Sequence, residues 1–318
     1  MKIKEWGAFA LLGLIWGSSF LWIKVGQGEP LAGWFTPAGA TAFHPFLLVT
    51  FRLLFGLAGM LGILAWRRPA LPRDPRLLAA FLFMGVFNTA LPFVLITWGE
   101  TRIESGLTSV LNATVPLFTI VIAHFTLHDE KITAPRLTGL ATGFVGVVVL
   151  VSRDFQPGAL TGNLVGQLAV IAAAVSYAVA LTFARKYLRN QPPVVQTFMV
   201  LLCADAVMWL VTPLAEQPLV WPTSGVAWFA VAWLGVLGSC VAYLLFFYLN
   251  NAWGPTRASL VTYTFPAIGL LLGGVFLGEA LDWRLLAGSV MVVAGILVVN
   301  GPALLRSLTP APAAAGHK

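Results

Sequence analysis

Charge is scarce in this chain. Asp, Glu, Lys and Arg make up 10% of its 318 residues, against about 25% in a soluble domain, too few to cover a water-facing surface. That excludes a soluble enzyme, a soluble nucleic-acid-binding domain and a disordered chain. Cysteine is also rare. Cys203 and Cys240 both sit inside apolar runs and read as small buried hydrophobes, not as a disulfide or metal framework. No His-Glu-x-x-His or Asp-rich pattern occurs, and no Gly-rich phosphate loop, so metal-assisted hydrolysis and direct ATP use lack their usual signatures. No cofactor is implied. What is present is apolar: 58% of the chain is hydrophobic and the mean hydropathy is +0.87. A net charge of +7 would suggest nucleic acid in a soluble protein. Here the basic residues lie in short clusters between apolar runs, the pattern that orients membrane helices.

A hydrocarbon core of about 30 Å asks for about 20 apolar helical residues. The sequence predicts ten such helices, near residues 6–26, 45–66, 77–98, 105–127, 135–151, 163–184, 194–215, 226–249, 256–277 and 283–301, hence an all-α integral membrane protein with the lipid bilayer as its partner. The breaks carry turn and charge signals, among them Arg67-Arg68-Pro69, Gln156-Pro157-Gly158 and Asn190-Gln191-Pro192-Pro193. The apolar run after Lys2 and Lys4 is long enough to span, and no small-residue cleavage site follows it, so a first helix is expected there and not a signal peptide. With the N-terminus inside, fourteen of the 19 basic residues fall on the inner side, and Arg102, Arg153 and Arg284 on the outer; Lys24 and Arg52 stay within helices. Both termini are therefore expected in the cytoplasm, in an inner membrane. Residues 303–318 are expected to form a disordered cytoplasmic tail.

The chain also repeats itself. A shift of 150 residues matches Gly85-Val86 with Gly235-Val236, Ser109 with Ser259, Thr114 with Thr264 and Pro116 with Pro266, and a shift of 149 matches Glu130 with Glu279, Gly139 with Gly288 and Gly146 with Gly295. The expected domains are 1–152 and 163–302, each of five helices. Five is odd, so the second copy must enter the membrane from the opposite face. Two inverted halves that exchange conformations open a shared midplane cavity to either side in turn.

Leu14-Ile15-Trp16-Gly17-Ser18-Ser19-Phe20, Phe51-Arg52-Leu53 and the stretch from Pro266 through Leu277-Gly278-Glu279 to Gly288 and Gly295 resemble the EamA-type branch of the drug/metabolite transporter superfamily, over residues 6–301. Two departures stand out: Asp129-Glu130 replaces the usual Gly-Glu, and the connection from Gln27 to Pro45 is long. The resemblance implies a central cavity lined by the first, third, fourth, sixth, eighth and ninth helices, with the fifth and tenth behind and the second and seventh off the cavity. The branch includes exporters of amino acids, other metabolites and drugs.

On those helices the candidate substrate-binding residues are Trp16, Ser19 and Phe20, which share one face, Asn88 and Asn112, whose amides a lipid-facing position would leave unsatisfied, and Tyr177, Ser239, Tyr243 and Tyr263. Each has a plainer alternative in helix packing or a backbone hydrogen bond. Pro92, Pro116 and Pro266 each remove a helical hydrogen bond and are candidate hinges, or static kinks. Asp205, near the middle of the seventh helix, and His124, deep in the fourth, are candidate proton-coupling groups. Arg52 reaches a depth similar to that of Asp205, so a structural ion pair or a snorkelling arginine competes with coupling. Lys24 reads as snorkelling. Gly139 to Gly143 and Gly269 to Gly273 are small-residue seams inside the fold, in a monomer or homodimer.

The function expected is secondary active transport of a small organic solute by alternating access, without enzymatic activity. An intramembrane enzyme on lipid-linked substrates would want clustered acids or histidines, and a scaffold or sensor gives no reason for the duplication.

Overall fold

The computed structural model describes residues 3–31, 39–127, 132–154, 161–189, 191–253 and 259–308, the side chains of 247, 250, 251, 259 and 300–308 excepted. Glu130, Arg257, Gln156-Pro157-Gly158 and the tail from Thr309 lie outside them.

Eight helices are long and apolar enough to cross a membrane: α1 Ile3–Gly26, α2 Pro45–Arg67, α3 Pro75–Glu100, α4 Ser105–Thr126, α5 Ala134–Val151, α6 Gly162–Tyr187, α7 Pro193–Ala215 and α8 Gly225–Phe246. Two shorter apolar helices follow, α9 Leu260–Phe276 and α10 Trp283–Val299. The protein is a multi-pass membrane protein. The helical turn of α10 runs on to Leu308, past the end expected near 301.

The helices start where the sequence supplies caps. Asp74 accepts from the Arg76 amide, Thr161 from Leu164, Ser224 from Ala227 and Asp282 from Leu285, and proline opens α2, α3, α5 and α7. Two starts are capped from elsewhere. The Glu216 carboxylate, after α7, accepts from the amides of Phe46 (2.7 Å) and Leu47 (3.1 Å) at the start of α2. That of Glu279, between α9 and α10, accepts from Ser105 (2.6 Å) and Gly106 (2.9 Å) at the start of α4. Both lie on the face that joins α1 to α2, α3 to α4, α5 to α6, α7 to α8 and α9 to α10, the face with few basic residues. There Arg153 also pairs with Glu104 at 2.6 Å and Asp282 at 2.7 Å, and the Glu104 contact raises the pKa of its guanidinium.

Several helices are interrupted at mid-length. In α1 the hydroxyls of Ser18 and Ser19 both bond the Ile15 carbonyl and the helix breaks at Ser18. A turn at Ala113-Thr114 divides α4, and a 3₁₀ stretch, Ser259–Tyr263, opens α9. The prolines follow these interruptions: Pro116 is the second residue after the α4 break and Pro266 the third after the 3₁₀ turn, where a missing amide costs least.

Two segments are wound as π-helix, Val86–Ala90 in α3 and Trp233–Val241 in α8. In α3 the Leu91 amide reaches back five residues to Val86 O, which leaves the Phe87 carbonyl free, and the Ser176 hydroxyl of α6 takes it at 2.7 Å. In α8 the Ala242 amide reaches back to Leu237 O, and the freed Gly238 carbonyl accepts the indole N–H of Trp16, on α1, at 3.0 Å. Wide turns of this kind gather at functional sites.

The packing between helices follows small residues. α5 lies antiparallel to α10 at backbone contact: a methyl added to Gly139 would meet the Gly295 carbonyl at 2.7 Å, and one on Gly146 the Gly288 carbonyl at 2.9 Å. Gly235 on α8 seats against Phe55, Arg52 and Gly56 of α2, and Gly85 on α3 against Cys203 and Ala204 of α7. Gly269 seats against Ser109, and Gly273 against Ser105 and Glu279. α1 packs on α8 and α9, α6 on α3 and α4, α2 on α7, and α4 on α9.

Candidate functional site

The interruptions of α1, α3 and α8 meet in the middle of the bundle. Trp16, anchored on the Gly238 carbonyl, has its ring centroid 5.9 Å from Tyr243, 5.6 Å from Phe246 and 6.1 Å from Phe265, with Phe20 6.4 Å from Phe265. The π turn of α3 carries Asn88, whose side chain is hydrogen-bonded to that of Tyr243. Tyr177 joins the same apolar cluster as Trp16, Phe20, Ile96 and Phe265. Trp16, Asn88, Tyr177 and Tyr243 all keep partial exposure despite their mid-bundle position. Amphipathic rings that keep some exposure in mid-bundle suit contact with an organic solute that has an apolar body.

Arg52 brings a charge to this centre. It is 6% exposed, its guanidinium carbon lies 3.9 Å from the Phe93 ring centroid, and a methyl on Gly238 would stand 3.9 Å from its terminal nitrogen and 3.6 Å from the Ser19 hydroxyl. Its field reaches Tyr177, Tyr243 and Glu100. Among the described residues no ion pair joins Arg52 to Asp205. Asp205 is hydrogen-bonded to the Trp209 side chain one turn along α7, with Oδ1 unpartnered. Similar depth had left an ion pair open; instead Arg52 stacks on Phe93 of α3 and Asp205 bonds Trp209 on its own helix, and α2 contributes to the centre where the family resemblance set it aside.

The other residues singled out from sequence are dispersed. Ser239 is fully buried against Gly56 and bonds the Leu234 carbonyl. Asn112 ends the first half of α4 with Oδ1 unpartnered. Tyr263 packs on the cluster of Leu107, Leu111 and Leu285. His124 is in the last turn of α4 and not deep in it, where Nδ1 accepts from the Ile132 amide at 3.2 Å. Pro92 follows the π turn of α3 directly and Pro266 is buried. Pro266 also borders an apolar groove of about 370 Å³ between α9 and α10. With Ser289 its one polar side chain, already bonded to the Leu285 carbonyl, that groove matches lipid-facing surface.

Sequence reasoning passed over Glu100, at the end of α3 on the face with few basic residues. It is 0% exposed and neither carboxylate oxygen has a hydrogen-bond partner. Lys24 and Arg52 are the cations whose fields reach it, and Glu279 the anion. A fully buried carboxylate left this way calls for water or a ligand. Its one sequence signal was an acid closing an apolar run.

A model of the EamA-like transporter family matches the chain twice, over residues 5–152 and 164–301. An "uncharacterized transporter" of Archaeoglobus fulgidus is 25% identical over 297 residues, 93% of this chain and 99% of that one. The Escherichia coli "uncharacterized inner membrane transporter YedA" is 28% identical over 299 residues, 93% of this chain and 90% of its own. A solved crystal structure shares the fold with a TM-score of 0.62 at 23% identity, covering 94% of this chain and 98% of the other. The chain belongs to the EamA-like transporter family and is a membrane transporter.

Proposed function

We propose that the chain carries a small organic solute, an amino acid or a related amphipathic metabolite, out of the cell across the inner membrane, with both termini in the cytoplasm. The solute sits among Trp16, Phe20, Asn88, Tyr177 and Tyr243, and two inverted five-helix halves, α1–α5 and α6–α10, open that site to one side and then the other.

The observation that carries this reading is the reciprocity of contacts between the halves. A two-fold relation requires that if residue i touches j, the equivalent of j touches the equivalent of i. Gly139 meets Gly295 and Gly146 meets Gly288, and these are the pairs that the 149-residue shift exchanges. Gly85 seats on α7 as Gly235 seats on α2. The π turns begin at Val86 and Trp233, around the matched Gly85-Val86 and Gly235-Val236. Each frees a carbonyl that a side chain from the opposite half takes, Ser176 for α3 and Trp16 for α8.

Pro116 and Pro266, each next to an interruption, serve as bending points. Asp205 and His124 remain the candidate coupling groups, of which His124 lies farther from the centre. The test is counterflow in proteoliposomes, with solutes chosen by a thermal-shift screen of the purified protein, because a bound solute stabilises by mass action. Accumulation of labelled solute against unlabelled solute trapped inside supports the reading. Binding without counterflow for every solute that stabilises would refute it.

A further inference from the structure

We propose that Arg52 and Glu100 are the charge-selecting residues of the site, Arg52 holding a carboxylate and Glu100 an ammonium on one zwitterionic solute. This rests on the transporter reading above and names two side chains that it did not need.

Two opposite charges are buried in one region of the bundle, at 6% and 0% exposure, and each lies in the other's field. Yet they form no ion pair, although a direct contact would be the ordinary way to offset the cost of burial. Both are left wanting: Nε of Arg52 and both oxygens of Glu100 have no hydrogen-bond partner. Stacking on Phe93 sets the guanidinium of Arg52, from α2, beside that residue of α3. Glu100 stands seven residues further along the same helix, about 10 Å by helical rise and on nearly the same face. An α-amino acid placed between them, with one charged contact at each end, takes up a similar length.

The surroundings at each end match the assignment. Near Arg52 the rings of Phe93, Tyr177, Tyr243 and Trp16 offer apolar surface and hydroxyl groups. Near Glu100 two more buried polar atoms are unpartnered, the acceptor Gln27 Oε1 and the hydroxyl Thr97 Oγ1, which can accept as well as donate, and the Gln27 amide nitrogen already donates to the Thr97 carbonyl. The two Glu100 oxygens and Gln27 Oε1 can only accept, and an ammonium brings three donors to such a set. An indentation of about 340 Å³ bordered by Gln27, Thr41, His44 and Thr101 opens the bundle face with few basic residues beside this end. Lys24 on α1, whose field reaches Glu100, makes no ion pair with it among the described residues, so the carboxylate is not already neutralised by contact.

The experiment compares three probes that share one apolar body: leucine, 4-methylpentanoate, which lacks the ammonium, and 3-methylbutylamine, which lacks the carboxylate. Binding to the purified full chain is read by thermal shift and transport by counterflow. The wild type is expected to bind leucine at least about tenfold more tightly than either analogue, the size of one charge-assisted hydrogen bond. Glu100→Gln should remove the preference for leucine over 4-methylpentanoate. Arg52→Gln should weaken leucine and 4-methylpentanoate and spare the amine. The wild-type series stands by itself should either variant fail to fold. A wild type that binds an analogue as well as leucine overturns the proposal, as does a Glu100→Gln that keeps the zwitterion preference and loses only uptake driven by a pH gradient. Counterflow of a singly charged solute would leave the transporter reading intact while removing this one.

Discussion

The π turns of α3 and α8 reach one outcome by two routes. In α3, Pro92 follows the wide turn, and its missing amide and its ring make ordinary winding costly just there. In α8 the matching position is Ala242, which has its amide and still reaches back to Leu237 O. Proline is therefore not what the two turns share. They share a carbonyl released towards the opposite half and a side chain there, Ser176 or Trp16, that takes it. The wide turn belongs to the contact between halves more than to the helix that contains it.

The largest effect expected from breaking this comparison lies at the glycines that let the two turns seat. A methyl at Gly235 would stand 2.5 Å from Phe55 Cβ and 2.6 Å from the Arg52 carbonyl oxygen, and one at Gly85 2.8 Å from Cys203 Cβ and 2.9 Å from the Ala204 amide nitrogen. Alanine at either should cost ~1–3 kcal/mol, more at Gly235, read as a lower thermal midpoint in detergent. Unchanged midpoints would mean that these seams are not packed as described.

Next come the two side chains that take the freed carbonyls. Ser176→Ala and Trp16→Phe each strand a buried acceptor, at ~1–3 kcal/mol apiece. Because they act at separate sites, the double variant should lose about the sum. A strongly non-additive double would show that the turns are coupled.

Smaller still is the cost of moving the proline. Ala242→Pro gives α8 the α3 arrangement; it forfeits one hydrogen bond, while the carbonyl that a proline ring would crowd is already turned to Trp16. A loss of about 1 kcal/mol is expected, against about 3 for Val148→Pro in uninterrupted α5. Equal losses would deny that α8 is preset for it. Pro92→Ala should change stability least, by under about 1 kcal/mol, and leave the wide turn in place, since Ser176 still claims the Phe87 carbonyl. An experimental structure in which Leu91 N–H returns to Phe87 O would make proline the cause after all.

The same contrast explains what the sequence could and could not tell. Helix positions follow from runs of apolar residues, which the membrane dictates along the chain, so they were readable from the order of residues alone. Trp16, Asn88 and Tyr243 were readable because an amide or a mid-span indole has few comfortable places in lipid. For Arg52 and Asp205 the sequence left an ion pair and a snorkelling arginine both open, because it fixes depth along a helix axis and not the direction a side chain faces around it. The π turns were invisible because the groups that hold them, Ser176 and Trp16, arrive from the other half of the chain. Glu100 was missed because an acid at the end of an apolar run looks like the ordinary margin of a helix, and only packing shows it fully buried.

The central claim is that one site is reached from both sides of the membrane in turn. Its most direct test places a single cysteine at Tyr243 in a Cys203→Ala, Cys240→Ala background and applies a membrane-impermeant thiol reagent to sealed vesicles from either side. The account predicts labelling from both sides, slowed in each case by a solute that supports counterflow. Labelling from one side only, whatever solute is present, would contradict it.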